Sequence, residues 1–364
     1  IEKKMSPEKF DKVRLLGEKS IIPEQKITRI YPQENLFSHI VGQIDDNNNG
    51  ISGVEKSFDQ ELKSDKEPLK LTLDTNLQFL IREELIKAQE IFKNIGSASI
   101  LMKVNSGEIL SMISLPDFNL NKREEIKDVN YINRVTKGVY EFGSVFKTFT
   151  FASALNEGVI EPDTEFKDLP KKITCAGKPI GEYDNKIPSD LTAEQILIRS
   201  GNIGSVRIGQ KIGKEKLKAF LQDIGVLNKI EFDIEEVGEP MPIRWGKCKL
   251  ATVSFGHGIT TTPLQLAKAY AILGNGGYKI QPFLLQKEKI SLEKRQKIIS
   301  TKTSKAINLM LRKAVSQNEG TANFADVEGY KVAGKTGTAV KYNSKEKLNT
   351  FVSLFPSDKP KYVL

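Results

Sequence analysis

The chain has 364 residues, 39% hydrophobic and 28% charged, which is too long for one ordinary domain and apolar enough for a sizeable core. Its net charge of +9 comes from lysines scattered among acids, as in Lys63-Ser64-Asp65-Lys66 and Lys341 to Lys347, and reads as a solvated Lys-rich surface rather than a nucleic-acid face. With His39 and His257 as the only histidines a His-rich metal site is excluded, and no apolar run is long enough to span a bilayer.

In chain order, residues 1–69 are polar and turn-rich, with Asp45-Asp46-Asn47-Asn48-Asn49-Gly50 as a strong loop signal and a short amphipathic stretch from Gly53 to about Lys63. The charged link Lys63 to Pro68 sets the expected boundary between a region 1–69 and a domain 70–364. Leu69 to Leu73 alternates like a strand, and Asp74 or Thr75 caps a helix carrying Leu77, Leu80, Ile81, Leu85, Ala88 and Phe92 at helical spacing. Ser99 to Val104 and Glu108 to Ser114 read as strands joined by the turn Asn105-Ser106-Gly107. The stretch from Gly143 to about Asn228 is helical in pattern, with a polar excursion between Pro162 and Pro188. Pro263 to Leu273 and Thr303 to Val315 are further helices, and Tyr330 to Tyr342, Thr350 to Phe355 and Lys361 to Leu364 are strands. The result is a sheet with helices packed on it. Cys175 and Cys248 lie far apart with no metal spacing and read as two buried or free thiols, able to pair in an oxidising compartment. There is no signal-peptide pattern, and a chain that opens on Ile1 and closes in Tyr362-Val363-Leu364 reads as an excised piece.

Three short motifs carry chemistry. In Gly143-Ser144-Val145-Phe146-Lys147, helical spacing puts Lys147 one turn above Ser144, and apolar neighbours with the helix N-terminus depress its pKa, making the amine a general base. Ser200-Gly201-Asn202 follows a helix; Ser200 can pass a proton to a leaving amine and Asn202 can hold a substrate backbone, although alone the triplet reads as a plain helix cap. Lys335-Thr336-Gly337-Thr338 lies in a strand pattern, where Gly337 would leave room for a substrate backbone and Lys335, Thr336 and Thr338 would receive a terminal carboxylate. The N–H groups of Ser144 and Thr338 would form an oxyanion hole. Alone this element reads equally as an edge strand with a solvated lysine.

The order S-x-x-K, S-x-N, K-T-G is shared by penicillin-binding proteins and class A β-lactamases. With its surroundings the set resembles a class B penicillin-binding protein over nearly the whole chain. Arg29-Ile30-Tyr31-Pro32 and Gly50 to Glu55 resemble the N-terminal pedestal, and Asn133-Arg134 and Tyr140 to Ser144 the approach to the nucleophile. Arg244-Trp245, Ala251 to Gly258 and Thr262 to Ala267 look like the septal, FtsI-type branch, with the elongation branch as runner-up. The resemblance implies an α/β (α+β) transpeptidase fold, an antiparallel sheet flanked by helices with an all-helical subdomain, plus a smaller pedestal domain. It implies a serine D,D-transpeptidase that cross-links peptidoglycan stem peptides through an acyl-enzyme on Ser144 and is acylated by β-lactams, which mimic D-Ala-D-Ala. It further implies a periplasmic domain on an inner-membrane anchor outside this sequence, a partnered glycosyltransferase and division proteins, and neither metal nor organic cofactor. His257 would be a structural residue lining the cleft. Phe142 stands where the family usually has Pro, and Gly201 where it has Ser or Asp, so both segments are expected to be looser; a closing strand and helix past Lys361 are expected to be missing. A β-lactamase would need a further base that no motif announces, and a non-catalytic sensor or scaffold would have no need of Ser144, Lys147 and Lys335.

Overall fold

The Asn105-Ser106-Gly107 turn joins β1 (Ser97–Lys103) to β2 (Ile109–Leu115) as an antiparallel pair, with Gly107 at φ 89°, where a side chain would be strained. This hairpin supplies two strands of a five-stranded antiparallel sheet in the order β2-β1-β9-β8-β7, completed by β7 (Ala333–Val340), β8 (Lys347–Phe355) and β9 (Tyr362–Val363). In this computed structural model the described residues are 5–22, 29–64, 67–122, 128–286, 294–340 and 346–364. Tyr342 and most of the Lys341–Lys347 charge run fall outside them, as do Asp65 and Lys66.

The chain divides into two compact units, Ile1–Pro32 and Gln33–Leu364. The first holds α1 (Pro7–Arg14), whose N-terminus is capped by the Ser6 hydroxyl accepting from Lys9 N. The second holds everything else, so the boundary expected near residue 69 moves to 32/33. The cause is a set of long-range hydrogen bonds from residues 33–64. Gln78 Nε2 donates to Leu36 O, Asn133 Nδ2 to His39 O, and Gly53 N to Glu236 Oε1 at 2.9 Å. This segment carries α2 (Ser38–Val41), α3 (Gly53–Ser57) and α4 (Asp59–Ser64). Its loop is closed by Asp45, which accepts from Asn47 N and Asn49 N at 2.8 Å each.

Asp74 caps α5 (Thr75–Phe92), accepting from Asn76 N and Leu77 N. The alternating run before it does not join the sheet. Leu71 forms an isolated bridge with Leu285, and Thr72 N donates to Leu284 O. α5 packs along β2, and Gln78 pairs its amide with both main-chain groups of Met112 on this edge of the sheet.

The helical part is built around α6 (Lys147–Asn156), of which Lys147 through Ala154 are all buried; its polar members find partners inside, Thr148 Oγ1 with Tyr270 Oη at 2.8 Å and Thr150 Oγ1 donating to Ser254 O at 3.0 Å. In the polar excursion, β3 (Glu165–Phe166) pairs with β6 (Leu191–Thr192), and β4 (Lys172–Cys175) with β5 (Lys178–Gly181). α7 (Ala193–Ile198), α8 (Asn202–Ile212) and α9 (Lys214–Asp223) pack around α6. α10 (Lys249–Ser254) lies on α8, α11 (Pro263–Gly274) crosses β1, β9 and β8, and α12 (Thr301–Ser316) lies on β7. The cysteines are not free thiols: Cys175 and Cys248 form a disulfide. Folding brings the β4–β5 hairpin against the residue preceding α10, a proximity that a sequence separation of 73 does not disclose.

Candidate active site

Ser144 stands on a 3₁₀ turn, Gly143–Phe146, that runs directly into α6, so Lys147 opens the helix instead of lying one turn inside it. The turn is pressed against β7 through two glycines. A Cβ on Gly143 (φ 60°) would lie 2.4 Å from Thr338 O, and one on Gly337 would lie 2.2 Å from Phe142 O. Gly337 therefore makes room for the nucleophile turn, not for a substrate backbone as the sequence suggested. Phe142 is 4% exposed and packs edge-on to Tyr140, so the approach is held by burial where a proline was expected. The Ser144 hydroxyl has no hydrogen bond among the described residues.

Lys147 and Lys335 are both 0% exposed. Lys147 Nζ donates to Ser200 O at 2.5 Å and to Asn202 Oδ1 at 2.7 Å, and lies 3.1 Å from Ser200 Oγ. Lys335 Nζ reaches Ser200 Oγ at 2.8 Å, Thr336 O at 3.1 Å and Thr321 Oγ1 at 3.5 Å. Burial pushes Lys147 well below its ordinary pKa, and the like charge of Lys335 pushes it further, with Glu182 opposing both. Burial brings Lys335 down to about 7. The donor count is specific: two acceptor-only oxygens take both N–H groups of a neutral Lys147 amine, leaving its lone pair for a hydroxyl proton. Ser200 Oγ can then accept from Lys335 and donate to Lys147.

Ser200 is 4% exposed at φ 58°, a left-handed conformation unusual for a residue with a side chain. It is not a helix cap, because Gly201 occupies that position of α8 with no side-chain bond. Gly201 itself has ordinary extended angles, and its N–H bonds Ile196 O, so the triplet is not loosened there. On β7, Lys335, Gly337 and Ala339 are buried while Thr336 and Thr338 alternate to the more open side. Thr336 Oγ1 bonds Thr321 Oγ1 at 3.0 Å, and Thr338 Oγ1 bonds Asn349 Oδ1 at 3.2 Å. The structure thus gathers Ser144, Lys147, Ser200, Asn202, Lys335 and the Thr336–Thr338 stretch into one centre. Sequence reading missed Thr321 and Glu182, which belong to no motif and arrive only through folding. At the rim, His257 stacks on Phe255 and its Nδ1 lies 2.6 Å from Glu141 Oε1, a contact that raises its pKa.

A family model described as penicillin binding protein transpeptidase domain matches residues 97–364. The chain is 30% identical to the probable peptidoglycan D,D-transpeptidase FtsI of Caulobacter vibrioides, covering 98% of this chain and 62% of the relative. It is 26% identical to the peptidoglycan D,D-transpeptidase FtsI of Escherichia coli, covering 100% of this chain and 66% of the relative. It therefore spans about two thirds of the length of these relatives or slightly less. Among solved structures, penicillin binding protein 3 of Mycobacterium tuberculosis superposes with a TM-score of 0.82 over 92% of this chain and 83% of its own at 24% identity, a likeness of fold. The D,D-transpeptidase domain from Eggerthella lenta gives 0.79 over 92% of this chain and 86% of its own at 26% identity.

Proposed function

The chain belongs to the penicillin binding protein transpeptidase family, and on that premise we propose that it is the catalytic part of a serine D,D-transpeptidase cross-linking peptidoglycan stem peptides. The supporting observation is the buried pair of lysines sharing the Ser200 hydroxyl, with Lys147 opening the helix that continues the Ser144 turn.

In this reading the lone pair of Lys147, released as Ser200 turns its proton toward the leaving amine, takes the proton of Ser144 Oγ–H as Oγ attacks the carbonyl of the D-Ala–D-Ala bond. The N–H groups of Ser144 and Thr338 receive the oxyanion; a Cβ on Gly143 would lie 2.4 Å from the Thr338 oxygen and 3.4 Å from its nitrogen, so both main-chain groups face the nucleophile turn. Ser200 hands its proton to the departing D-Ala amine as the C–N bond breaks and is reprotonated from Lys147. A second stem peptide's amine then attacks the ester and gives up a proton to Lys147, which passes it to Ser144 Oγ as the ester C–O bond breaks and the cross-link leaves. Lys335, Thr336 and Thr338 hold the terminal carboxylate, a group that penicillins also carry. The relatives named FtsI support a septal role. A periplasmic domain working beside a glycosyltransferase and division proteins belongs to the same proposal.

The test is labelling with a fluorescent penicillin and mass-spectrometric mapping of the modified residue. Ser144 should carry the label, and Ser144→Ala should abolish it with thermal unfolding nearly unchanged. Label that persists in Ser144→Ala overturns the assignment, and rapid turnover of penicillin would mark a β-lactamase instead.

A further inference from the structure

We infer that Glu182 is a positioning residue for this centre, holding the Ser200-Gly201-Asn202 loop in its working conformation from the neighbouring β4–β5 hairpin. The inference rests on the transpeptidase reading of the site and deepens it.

A helix that opens on a glycine cap leaves its first N–H groups without a side-chain acceptor. At α8 that acceptor arrives from another element: Asn202 N donates to Glu182 Oε2 at 2.6 Å and Ile203 N to Glu182 Oε1 at 2.8 Å. A carboxylate here also suits the positive end of the helix. The residues on either side of Glu182 hold the same loop. Gly181 O accepts from Asn202 Nδ2 at 2.8 Å, which orients the amide so that its oxygen faces Lys147. Tyr183 Oη donates to Arg199 O at 2.9 Å, just before Ser200. Three consecutive residues thus bracket the loop from both ends.

The bracket has something to hold. Ser200 sits at φ 58° with its carbonyl on Lys147 and its hydroxyl between two lysines, a conformation that persists only where the surroundings over-determine it. The hairpin is itself anchored, with Gly181 in register opposite Lys172 and Cys175 disulfide-bonded to Cys248. Glu182 also contributes the negative charge felt at Lys147, against burial and Lys335. It therefore sets both where the loop stands and how readily the amine loses its proton.

Glu182→Gln keeps the shape but replaces one acceptor oxygen by a donor that faces an N–H. Penicillin acylation of Ser144 should slow by roughly ten- to a hundredfold, while unfolding stays cooperative. The charged groups facing Lys147 are Glu182 and Lys335. Removing the negative one lowers the pKa of Lys147, so the acid limb of the acylation rate should move to lower pH. Glu182→Asp keeps the charge and should restore the parental acid limb with part of the rate. An acylation rate within about twofold of the parent for Glu182→Gln, or a slowing with the acid limb unmoved, overturns the inference. If Glu182→Gln does not fold, Glu182→Asp decides: a slowed rate with a parental acid limb supports positioning, and a parental rate overturns it. A parent protein that takes no label overturns the function and this inference together. Labelling lost in Ser144→Ala leaves the function standing whatever Glu182 does.

Discussion

Two ends of the same sheet treat buried polar groups in opposite ways. Along β2, Gln78 of α5 bonds both buried main-chain groups of Met112, and Arg82 Nε lies 2.6 Å from Asp117 Oδ2. Along β7, two wholly buried lysines meet across one hydroxyl, and neither has an ion-pair partner among the described residues. A buried charge must be paired or given up. The first end pairs its charge; at the second, burial without such a pairing lowers the pKa of both amines. The difference teaches which polar groups hold the molecule together and which are held ready to react.

The sharpest way to break that comparison is to forbid Lys147 from giving up its proton. Lys147→Arg keeps the charge but cannot deprotonate at working pH, so acylation should fall by roughly a thousandfold or more. In the parent, acylation should be lost as pH falls through the lowered Lys147 pKa, because protonation fills the lone pair. A Lys147→Arg protein that acylates at near the parental rate would move the base elsewhere, with Ser200 next in line.

Lys335 should cost less. Lys335→Ala should lower penicillin acylation by about two to three decades, and Lys335→Arg should recover part of it. A β-lactam with its carboxylate esterified should react poorly with the parent and lose little more on Lys335→Ala. Equal proportional losses for acid and ester would mean that Lys335 acts through Ser200 instead. The same residue leaves a mark on stability. Its folded pKa of about 7 lies below the unfolded value of about 10.4, so the unfolded chain binds more protons between them. Its contribution to stability therefore rises with pH across that window, and a melting-temperature profile of Lys335→Met should lack that part of the rise.

The smallest expected effect on chemistry, at the paired end, sharpens the contrast. Asp117→Ala leaves Arg82 with only the flanking Glu83, 3.1 Å from its Nη1, at a site where the Arg82 and Asp117 side chains are 19% and 13% exposed. Stability should fall by about 1–3 kcal/mol, read as a melting temperature lower by a few degrees, with acylation rates unchanged. Slowed acylation without lost stability would show that the two ends are not separable.

The motif residues were legible because their chemistry is carried by residue type and local spacing. A serine three residues before a lysine, a serine two before an asparagine and a lysine ahead of two threonines are visible without a fold. The hairpin of β1 and β2 and the capped helix α5 were equally local, set by a turn triplet and by Asp74. The strand expected over residues 69–73 was not, since alternation marks a half-buried extended segment but cannot say whether a neighbouring strand lies beside it.

The sequence by itself determined the sheet-and-helix class and singled out the three motifs that the fold gathers, because hydrophobic period, turn residues and motif order are properties of neighbours in the chain. Only the tertiary structure decided that Gly337 yields to Phe142, that Cys175 meets Cys248, that residues 33–64 belong to the larger unit, and that Glu182 caps a helix that starts twenty residues later. Each is a meeting of groups distant in sequence, and which distant groups meet is set by how layers pack, where shape and burial select one arrangement that no local pattern encodes.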